Sequence, residues 1–353
     1  MRFLIFLLPI VLFGNVLRVA NYNVENLFDL KYDGTEYREY IPNTPAGWNE
    51  ETYLAKLNNI ARVISAVNPD VIGLEEVESE DALDDLRDIL RQYPYRITYK
   101  YSAFADKKKR SLAVSNALLS KYPIKYAREI EVSKNPRMRN ILEVGIEVGD
   151  EVVILFVNHW KAKSGSESKR VETAKHLMAR LQELDKDTPY ILLGDFNSNY
   201  NEFQTFINTK LNDTDGITGI NHILGTVIVD DWKVTQWLKN LLGLDLDIRF
   251  VTIEDLKKSR DNSIHYNLWL ELEEDERWSH KSGKKKGTLD NMIISRGLVD
   301  GKGIEYIEGS FQVFRGAGTV RNGKVYRWQR DRKRRHIGKG FSDHLLIYAD
   351  FQF

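Results

Sequence analysis

The eight residues YILLGDFN, Tyr190–Asn197, are typical of a buried strand that ends in polar side chains. The first four residues are apolar and predict the strand. Gly194 lets the backbone turn, and Asp195 and Asn197 follow it. A carboxylate beside a carboxamide suits water chemistry, because Asp can accept a proton while Asn orients the nucleophile or donates to an oxyanion. This stretch therefore predicts a catalytic strand end, with a structural turn as the alternative.

Two earlier stretches have the same character. In ANYNVENLF, Asn23 and Glu25 lie two residues apart and share one face of an extended segment, although a turn with an Asx cap fits equally well. In VIGLEEVES, an apolar strand ends in Glu75 and Glu76, which alternation sends to opposite faces. A carboxylate at such a position is a good ligand for a hard cation such as Mg²⁺. A solvated, charged loop is the alternative.

Three later strand ends add histidines and carboxylates. In ILFVNHWKAKSG, His159 follows an apolar run, and a lone histidine at such a place is more often structural than catalytic. TLDNMIIS places Asp290 before a strand, and GFSDHLLIYADF places Asp343 and His344 before another. An Asp that accepts the Nδ1 hydrogen of a His fixes the tautomer and raises the basicity of the ring. That pairing requires the two segments to be neighbours, which the sequence alone does not show.

Apolar runs typical of strands alternate with helical patterns along the chain. The helices are expected near 54–67, 81–90, 171–184, 202–211 and 232–241. The strands are expected near 17–22, 71–74, 95–101, 112–119, 141–148, 152–158, 190–193, 289–294 and 345–353. Without a Pro/Ser-rich linker or a repeat, this order favours one large domain with a two-sheet core flanked by helices.

Composition excludes several classes of site and of protein. The 353 residues include 51 Lys+Arg, 51 Asp+Glu and no cysteine. The lack of cysteine excludes disulfides, a thiolate nucleophile, Cys-ligated zinc and iron–sulfur clusters, so any metal must sit on O or N ligands. The balanced charge argues against DNA binding by bulk electrostatics but not against local basic patches.

The first stretch, MRFLIFLLPIVLFG, predicts a signal peptide at residues 1–14. One arginine precedes eleven apolar residues, which are too few to span a bilayer and suit the apolar core of a signal peptide. A buried first strand is the alternative. With a leader, the protein would be exported to the periplasm or secreted, and residues 15–353 would form the domain.

Taken together and in this order, these motifs resemble the endonuclease/exonuclease/phosphatase superfamily, the deoxyribonuclease I-like metal-dependent phosphoesterases. The resemblance runs from about Leu17 to Phe353 and rests on GDFN and SDH with an earlier strand glutamate. NYNVENLF and GTLDNMIIS look most like the bacterial, often exported, nuclease-like members. The resemblance implies an α+β fold, a four-layer α/β/β/α sandwich with two mostly antiparallel sheets packed face to face. The stretch at about 199–280 is expected to be a variable insertion.

The resemblance also assigns roles residue by residue. It implies that metal is held by Asn23, Glu25, Glu76 (through the match of LEEV to the family's L-Q-E-T) and Asp343, with Glu75 a poorer candidate. It implies that catalysis uses His159, Asp195, Asn197, Asp290 and His344. Arg139 stands where members often carry an arginine before a strand, and Asn116 would contact substrate if it points into the cleft; both are expected substrate-binding residues.

The expected function is metal-dependent hydrolysis of a phosphodiester, with Mg²⁺ or Mn²⁺ as the cofactor and Ca²⁺ as a further option. DNA is the expected substrate and the protein a DNA endonuclease, because basic groups flank the motifs. They are Lys107–Arg110, Lys161, Lys163, Lys281, Lys284–Lys286, Arg327, Arg330 and Arg332–Arg335. The alternatives are a lipid or small-molecule phosphoesterase, with Trp232–Leu244 as its only candidate membrane segment, and a binding protein that lost catalysis. We expect a monomer with no stable membrane anchor and no protein partner.

Overall fold

The computed structural model describes residues 14–106, 112–229, 248–283 and 285–353. Within these ranges the strands, in chain order, are β1 (Val16–Leu27), β2 (Val71–Val77), β3 (Tyr101–Phe104), β4 (Ser115–Ser120), β5 (Ile124–Ile130), β6 (Ile141–Val148), β7 (Glu151–His159), β8 (Tyr190–Asp195), β9 (Val227–Ile228), β10 (Arg249–Phe250), β11 (Tyr266–Asn267), β12 (His280–Ser282), β13 (Lys285–Gly287), β14 (Asp290–Ile294), β15 (Glu305–Tyr306), β16 (Gln312–Val313), β17 (Val320–Arg321), β18 (Lys324–Val325) and β19 (Ile347–Gln352). The α-helices are α1 (Glu50–Val67), α2 (Glu80–Arg91), α3 (Glu167–Leu181), α4 (Glu202–Thr205) and α5 (Ile253–Lys258).

Two large sheets contain most of these strands. Sheet A has the order β15-β19-β1-β2-β4-β3, with β16 also paired to β19. Sheet B has the order β11-β14-β8-β7-β6-β5. Only the pairs β1–β2 and β7–β8 are parallel among the described strands of these sheets. The sheets are therefore mostly antiparallel, as the resemblance implied.

The two sheets pack face to face around one apolar core. Alternation along β1 sends Leu17 and Val19 into this core and Ala20 and Tyr22 to the opposite side. Sheet B contributes its own inward residues, such as Leu193. Each sheet thus buries both of its faces, which explains why the strands read as continuous apolar runs.

Helices cover the outer faces. On sheet A, α1 buries Leu57, Ile60 and Ile64. On sheet B, α3 buries Leu177 and Leu181 against the sheet. The helical spacing of these residues creates the apolar stripe that packs on each sheet. The four-layer α/β/β/α sandwich is confirmed.

The start of α1 is fixed by a capping box. The side chain of Asn49 accepts a hydrogen bond from the backbone nitrogen of Thr52, and the Thr52 side chain accepts one from the backbone nitrogen of Asn49. These bonds satisfy amide groups that the helix itself leaves unpaired. Just before the cap, Nε1 of Trp48 donates to the carbonyl oxygen of Asp29 at 3.1 Å, which holds the start of the helix near the end of β1.

Some elements differ from expectation. Residues 95–100 are not a strand: Ile97 and Tyr99 alternate inward and are buried, but the backbone has no ladder partner there. The edge strand β5 escaped prediction because its sequence IKYAREI is largely polar and exposed. The helix expected at 202–211 is only the four residues of α4.

Some predictions lie outside the described residues. They include the helix expected at 232–241 and most of the leader expected at residues 1–14. The leader, the single domain over 15–353 and the insertion at about 199–280 therefore stay predictions. Among the described residues, no helix is long and apolar enough to cross a bilayer.

Candidate active site

The predicted catalytic and metal-binding residues gather at one edge of the sandwich. In sheet B, Asp195 at the end of β8 is in register with His159 at the end of β7 and with Asp290 at the start of β14. In sheet A, Asn23 of β1 pairs with Glu75 of β2. Because these strands end or begin at the same edge, side chains from both sheets meet there.

The backbone is irregular where these strands end. Glu25 and Glu76 have φ angles of 51° and 64°, and each lies at a register shift of its strand. Asn197 has a φ angle of 48°. Bulges of this kind redirect a side chain out of the regular alternation. They bring the side chain of Glu76 toward Asn23 while Glu75 remains between the sheets.

Gly194 is the residue that turns the chain before Asp195. Its φ angle is 137°, and a Cβ built on it would lie 2.0 Å from the carbonyl oxygen of Asn158 on the neighbouring strand β7. Only glycine fits both the backbone conformation and this close approach. The GD of the GDFN motif thus positions Asp195 through the backbone.

Asp195 Oδ2 lies at the centre of the site. It accepts a hydrogen bond from Nδ2 of Asn23 at 3.2 Å. Nε2 of His159 is 3.6 Å away and Nε2 of His344 is 3.9 Å away. The other oxygen, Oδ1, accepts a hydrogen bond from the backbone nitrogen of Asn197 at 2.9 Å. The carboxylate is thus held on one side while its Oδ2 faces two imidazoles.

His344 forms a dyad with Asp290. Its Nδ1 lies 2.8 Å from Oδ2 and 3.0 Å from Oδ1 of Asp290. Ser279 Oγ donates a further hydrogen bond to Asp290 Oδ2 at 2.5 Å. The dyad places the Nδ1 hydrogen on the Asp290 side, so Nε2 is the nitrogen that faces Asp195.

The environment separates the protonation states of the two histidines. Burial acts to lower the pKa of His344, but the carboxylates of Asp290 and Asp195 outweigh it, and the pKa of His344 is raised well above its usual range. Burial, with the nearby charge of Arg139, lowers the pKa of His159 well below its usual range. His344 is therefore a cation and His159 a neutral ring at neutral pH.

Asp195 is suited to accept a proton. Burial raises its pKa to about 7, with the charge of His344 acting in the opposite direction. A carboxylate whose pKa is near the working pH makes an efficient general base. Pairs of groups whose pKa values are moved apart in this way are typical of acid and base assignments at active sites.

The expected metal residues fall into two groups. Glu76 Oε1 accepts a hydrogen bond from Asn23 at 3.3 Å and lies 4.0 Å from Nε2 of His159. Glu25 instead forms an ion pair with Arg327, whose Nε donates to Glu25 Oε1 at 2.9 Å. Arg327 Nη2 also lies 3.2 Å from Asp343 Oδ2. One arginine therefore bridges Glu25 and Asp343.

The residues fit a hard divalent cation. The partly buried Glu76 and the buried Asp195 present carboxylate oxygens, which are the ligand type that Mg²⁺ prefers. Burial, with the charge of Asp343, raises the pKa of Glu76, so a nearby cation would favour its ionised form.

The remaining predicted residues lie close by but make other contacts. Glu75 is fully buried, accepts a hydrogen bond from Asn21 at 3.1 Å, and burial raises its pKa well above the usual range. Asn116 is fully buried, and its amide nitrogen donates to the carbonyl oxygens of Asn140 and Val157 at 3.0 and 3.2 Å. Its role in substrate binding stays a prediction.

Arg139 and His159 line the same cavity of 330 Å³, together with Tyr37, Arg137 and Lys161. This cavity opens beside Asp195, because His159 reaches both. Three cationic side chains around it suit a phosphate group. The substrate-binding role of Arg139 also stays a prediction.

Sequence reasoning missed several residues of the site. Ser279 holds Asp290, and Lys56 is fully buried while its Nζ donates to the carbonyl oxygens of Glu25 and Phe341 at 2.9 and 3.0 Å. His280 lies beside His344, with 4.9 Å between the ring centroids. The sequence around Ser279 and His280 gives no indication of a role at the site. For Lys56 the one indication is that it interrupts the apolar face of α1.

Comparisons with known proteins identify the family and the fold. A model described as the Endonuclease/Exonuclease/phosphatase family matches residues 18–224. Among solved structures, TDP2 from Caenorhabditis elegans is similar with a TM-score of 0.52 and 15% identity, over 96% of this chain and 75% of that chain. TDP2 from D. rerio, complexed with single strand DNA product, has a TM-score of 0.54 and 12% identity, over 96% of this chain and 99% of that one. An endonuclease/exonuclease/phosphatase family protein from Leptotrichia buccalis has a TM-score of 0.51 and 15% identity, over 96% and 100%. No curated protein sequence matches this chain.

Proposed function

Because the chain belongs to the endonuclease/exonuclease/phosphatase family, we propose that this phosphoester hydrolase is a metal-dependent DNA endonuclease. The observation that carries the proposal is the arrangement around Asp195 Oδ2. It lies within 4 Å of Asn23, His159 and His344, and His344 is in turn held by Asp290. This arrangement provides a base, a cation and a positioning network in one buried pocket.

Divalent-metal dependence follows from the family, and we propose Mg²⁺, with Mn²⁺ as a substitute and Ca²⁺ as a further option. Glu76 would hold the ion, with Asn23, Glu25 or Asp343 completing its coordination. A bound ion neutralises the charge that develops on the phosphoryl oxygens. Arg327 already compensates the charges of Glu25 and Asp343, so these carboxylates would bind the ion only if they release the arginine.

The side chains of this protein account for the proton transfers. Asp195, which Asn197 holds through its backbone nitrogen, accepts a proton from the water that attacks phosphorus, and the Asn197 side chain would help to orient that water. As the phosphorus–oxygen bond breaks, the leaving oxygen takes a proton from the cationic His344. Asp290 stabilises that cation and keeps Nε2 directed toward the substrate. His159, which is neutral, would hydrogen-bond the phosphate.

DNA is proposed as the substrate for two reasons. The D. rerio TDP2 structure, which shares the fold, contains a single strand DNA product. In addition, Arg137, Arg139 and Lys161 surround the cavity beside His159. The lipid-phosphoesterase alternative requires a membrane segment. Its candidate, Trp232–Leu244, lies outside the described residues. No observation on the described residues favours that alternative.

Plasmid nicking tests the proposal. The purified protein would be incubated with supercoiled plasmid and Mg²⁺, with and without EDTA, alongside a sphingomyelin assay and bis(p-nitrophenyl) phosphate. We expect relaxation and then linearisation of the plasmid, both abolished by EDTA. The matched variant Asp195→Asn keeps the shape of the side chain and should lose activity. Cleavage of sphingomyelin alone, or full plasmid cleavage by Asp195→Asn, would contradict the proposal.

The leader at residues 1–14 is part of the same proposal, since a nuclease with a signal peptide would act in the periplasm or outside the cell. N-terminal sequencing of the protein isolated from its source tests this. A mature chain that begins near Asn15 supports export, and an intact Met1 or Arg2 would contradict it.

A further inference from the structure

A second cavity, of 540 Å³, lies apart from the one that contains His159. Its cationic wall is formed by Arg38, Arg330, Lys333 and Arg334, and Ile41 and Pro45 form an apolar side. We call it the cationic pocket. Arg330, Lys333 and Arg334 belong to the basic run after β18, and none of the three contacts the catalytic residues described above.

The charge of the cationic pocket is largely uncompensated. Glu39 is the one carboxylate in its lining, and it pairs with Arg330 at 2.8 Å. Among the described residues, no carboxylate forms an ion pair with Arg38, Lys333 or Arg334. Four cations against one carboxylate leave a net charge of 4 − 1 = +3 in a concave surface. Concave surfaces with one sign of charge focus the field on an anionic ligand.

The walls of the pocket are fixed by hydrogen bonds. Asp331 Oδ1 accepts bonds from the backbone nitrogens of Lys333 and Arg335 at 2.8 and 2.9 Å, which shapes the loop that carries Lys333 and Arg334. Arg330 lies over the ring of Tyr40, 5.3 Å from its centroid. The loop backbone and Arg330 are therefore held in place, while the exposed side chains of Arg38, Lys333 and Arg334 remain available to a ligand.

His336 joins this loop to the opposite wall. Its backbone nitrogen donates to the carbonyl oxygen of Ala46, and its Nε2 donates to that of Glu39, both at 2.9 Å. Trp328 Nε1 donates to Nδ1 of the same ring at 2.7 Å, which fixes the tautomer. Both walls are thus held by one buried imidazole.

The cationic pocket adjoins the candidate active site. Tyr37 lines the cavity of His159, and the next residue, Arg38, lines the cationic pocket. On the other wall, Arg327 contacts Glu25 and Asp343, and Arg330 follows three residues later. Residues that are neighbours in the chain thus line both cavities, and a ligand long enough to reach from one cavity to the other would contact both.

We propose that the cationic pocket binds a backbone phosphate of the DNA strand to one side of the cut, so that the enzyme requires an extended polynucleotide for tight binding. The inference rests on the proposed DNA substrate. Arg and Lys contact the phosphate, and the apolar side formed by Ile41 and Pro45 packs against the adjoining sugar. Small phosphodiesters fill only the site at Asp195 and gain nothing from the pocket.

The test uses two charge-matched double variants of the full chain. Lys333→Gln/Arg334→Gln removes two charges from the pocket, and Lys186→Gln/Lys302→Gln removes two exposed charges from other surfaces. Binding of duplex DNA in EDTA is measured over a range of salt concentrations. Plasmid cleavage and hydrolysis of bis(p-nitrophenyl) phosphate are measured in Mg²⁺, and binding to anionic lipid vesicles is measured in parallel.

For the pocket variant we expect a higher KM for DNA and a slope of log binding constant against log salt that is shallower by about 0.9, from the loss of one phosphate contact. Hydrolysis of bis(p-nitrophenyl) phosphate should be unchanged. The control variant should match wild type in all three measurements.

Three outcomes would overturn the proposal. If wild type cleaves DNA but the pocket variant and the control variant have the same salt slope, the pocket assignment is wrong and the DNA substrate stands. If wild type neither binds nor cleaves DNA, both are wrong. If the pocket variant loses binding to anionic vesicles and keeps its DNA binding, the pocket serves a lipid surface instead.

Discussion

Asp290 Oδ2 lies 2.8 Å from Nδ1 of His344, and this contact joins the first residue of β14 in sheet B to the segment that leads into β19 in sheet A. The Asp290→Asn variant keeps the shape of the side chain but removes the charge that stabilises the imidazolium. We expect kcat to fall by about 10²–10⁴-fold. The alkaline limb of the pH profile should also move to lower pH, because Asp290 is a main cause of the raised pKa of His344.

The control for the dyad is Ser279→Ala, which removes only the hydrogen bond to Asp290 Oδ2. It should lower kcat by about 10- to 150-fold at most, since one hydrogen bond to a charged group is worth about 1.5–3 kcal/mol. Steady-state kinetics on plasmid DNA between pH 5 and 9 measures both variants. An Asp290→Asn enzyme with a wild-type pH profile would show that the dyad has no part in proton transfer.

The contribution of Asp195 to the stability of the metal-free protein should fall as the pH rises. Burial raises the pKa of Asp195 to about 7, above the ordinary value that it has in the unfolded chain. The stability associated with this group is fully present below about pH 4 and is lost as the pH rises through about 7. In EDTA at pH 8, Asp195→Asn should therefore be more stable than wild type, whereas at pH 4 the difference should vanish.

Urea unfolding at the two pH values measures this difference. Adding Mg²⁺ at pH 8 should raise the free energy of unfolding of the wild-type protein, because an ion that binds only the folded state stabilises that state. The same addition should have less effect on Asp195→Asn. Equal stabilisation of both proteins by Mg²⁺ would mean that the Asp195 carboxylate does not contribute to binding of the ion.

The buried Lys56 should be important for both stability and activity. Its Nζ donates to the carbonyl oxygens of Glu25 and Phe341, so it ties the end of β1 to the segment that carries Asp343. Lys56→Met leaves both oxygens without this donor and should lower the free energy of unfolding by about 1–3 kcal/mol. The exposed Lys186→Met should be neutral. Urea unfolding measures the stability of both variants. A Lys56→Met protein with wild-type stability and kcat would show that the link from Lys56 to Glu25 and Phe341 is unimportant.

Gly194→Ala should be far more damaging than a comparable change elsewhere. An alanine Cβ would meet the carbonyl oxygen of Asn158 at 2.0 Å and would force β7 away from β8. The matched control is Gly301→Ala, where φ is 81° and no atom lies within 4 Å. The control should lower the free energy of unfolding only through backbone strain, by about 1–3 kcal/mol. Thermal unfolding compares the two, and equal losses would mean that the close approach of β7 and β8 is unimportant.

The sequence predicts this fold well because apolar runs mark strands that are buried on both faces. Asp195 was predictable for the same reason, since it follows such a run and a glycine. The alternation in residues 95–100 was misleading because it reports burial of Ile97 and Tyr99, and burial does not require a strand partner.

Contacts between residues far apart in the chain could not be predicted from local sequence patterns. Asp290 and His344 are 54 residues apart, and Ser279 completes their network from a hairpin with no apolar signal. The sequence predicts Arg327 only as one member of a basic run. In the structure it bridges Glu25 and Asp343, which are about 300 residues apart in the chain. Long-range ion pairs of this kind depend on topology, which the side-chain pattern of one segment does not encode.

The position of β19 in sheet A affects when the enzyme can become active. This strand pairs with β1 along six residues and also with β15 and β16, yet it is synthesised long after β1 has emerged. Asp343 and His344 lie just before it, so the proposed proton donor is missing from every nascent chain shorter than this point. By the proposed mechanism, a polypeptide released earlier would have no phosphoester hydrolase activity.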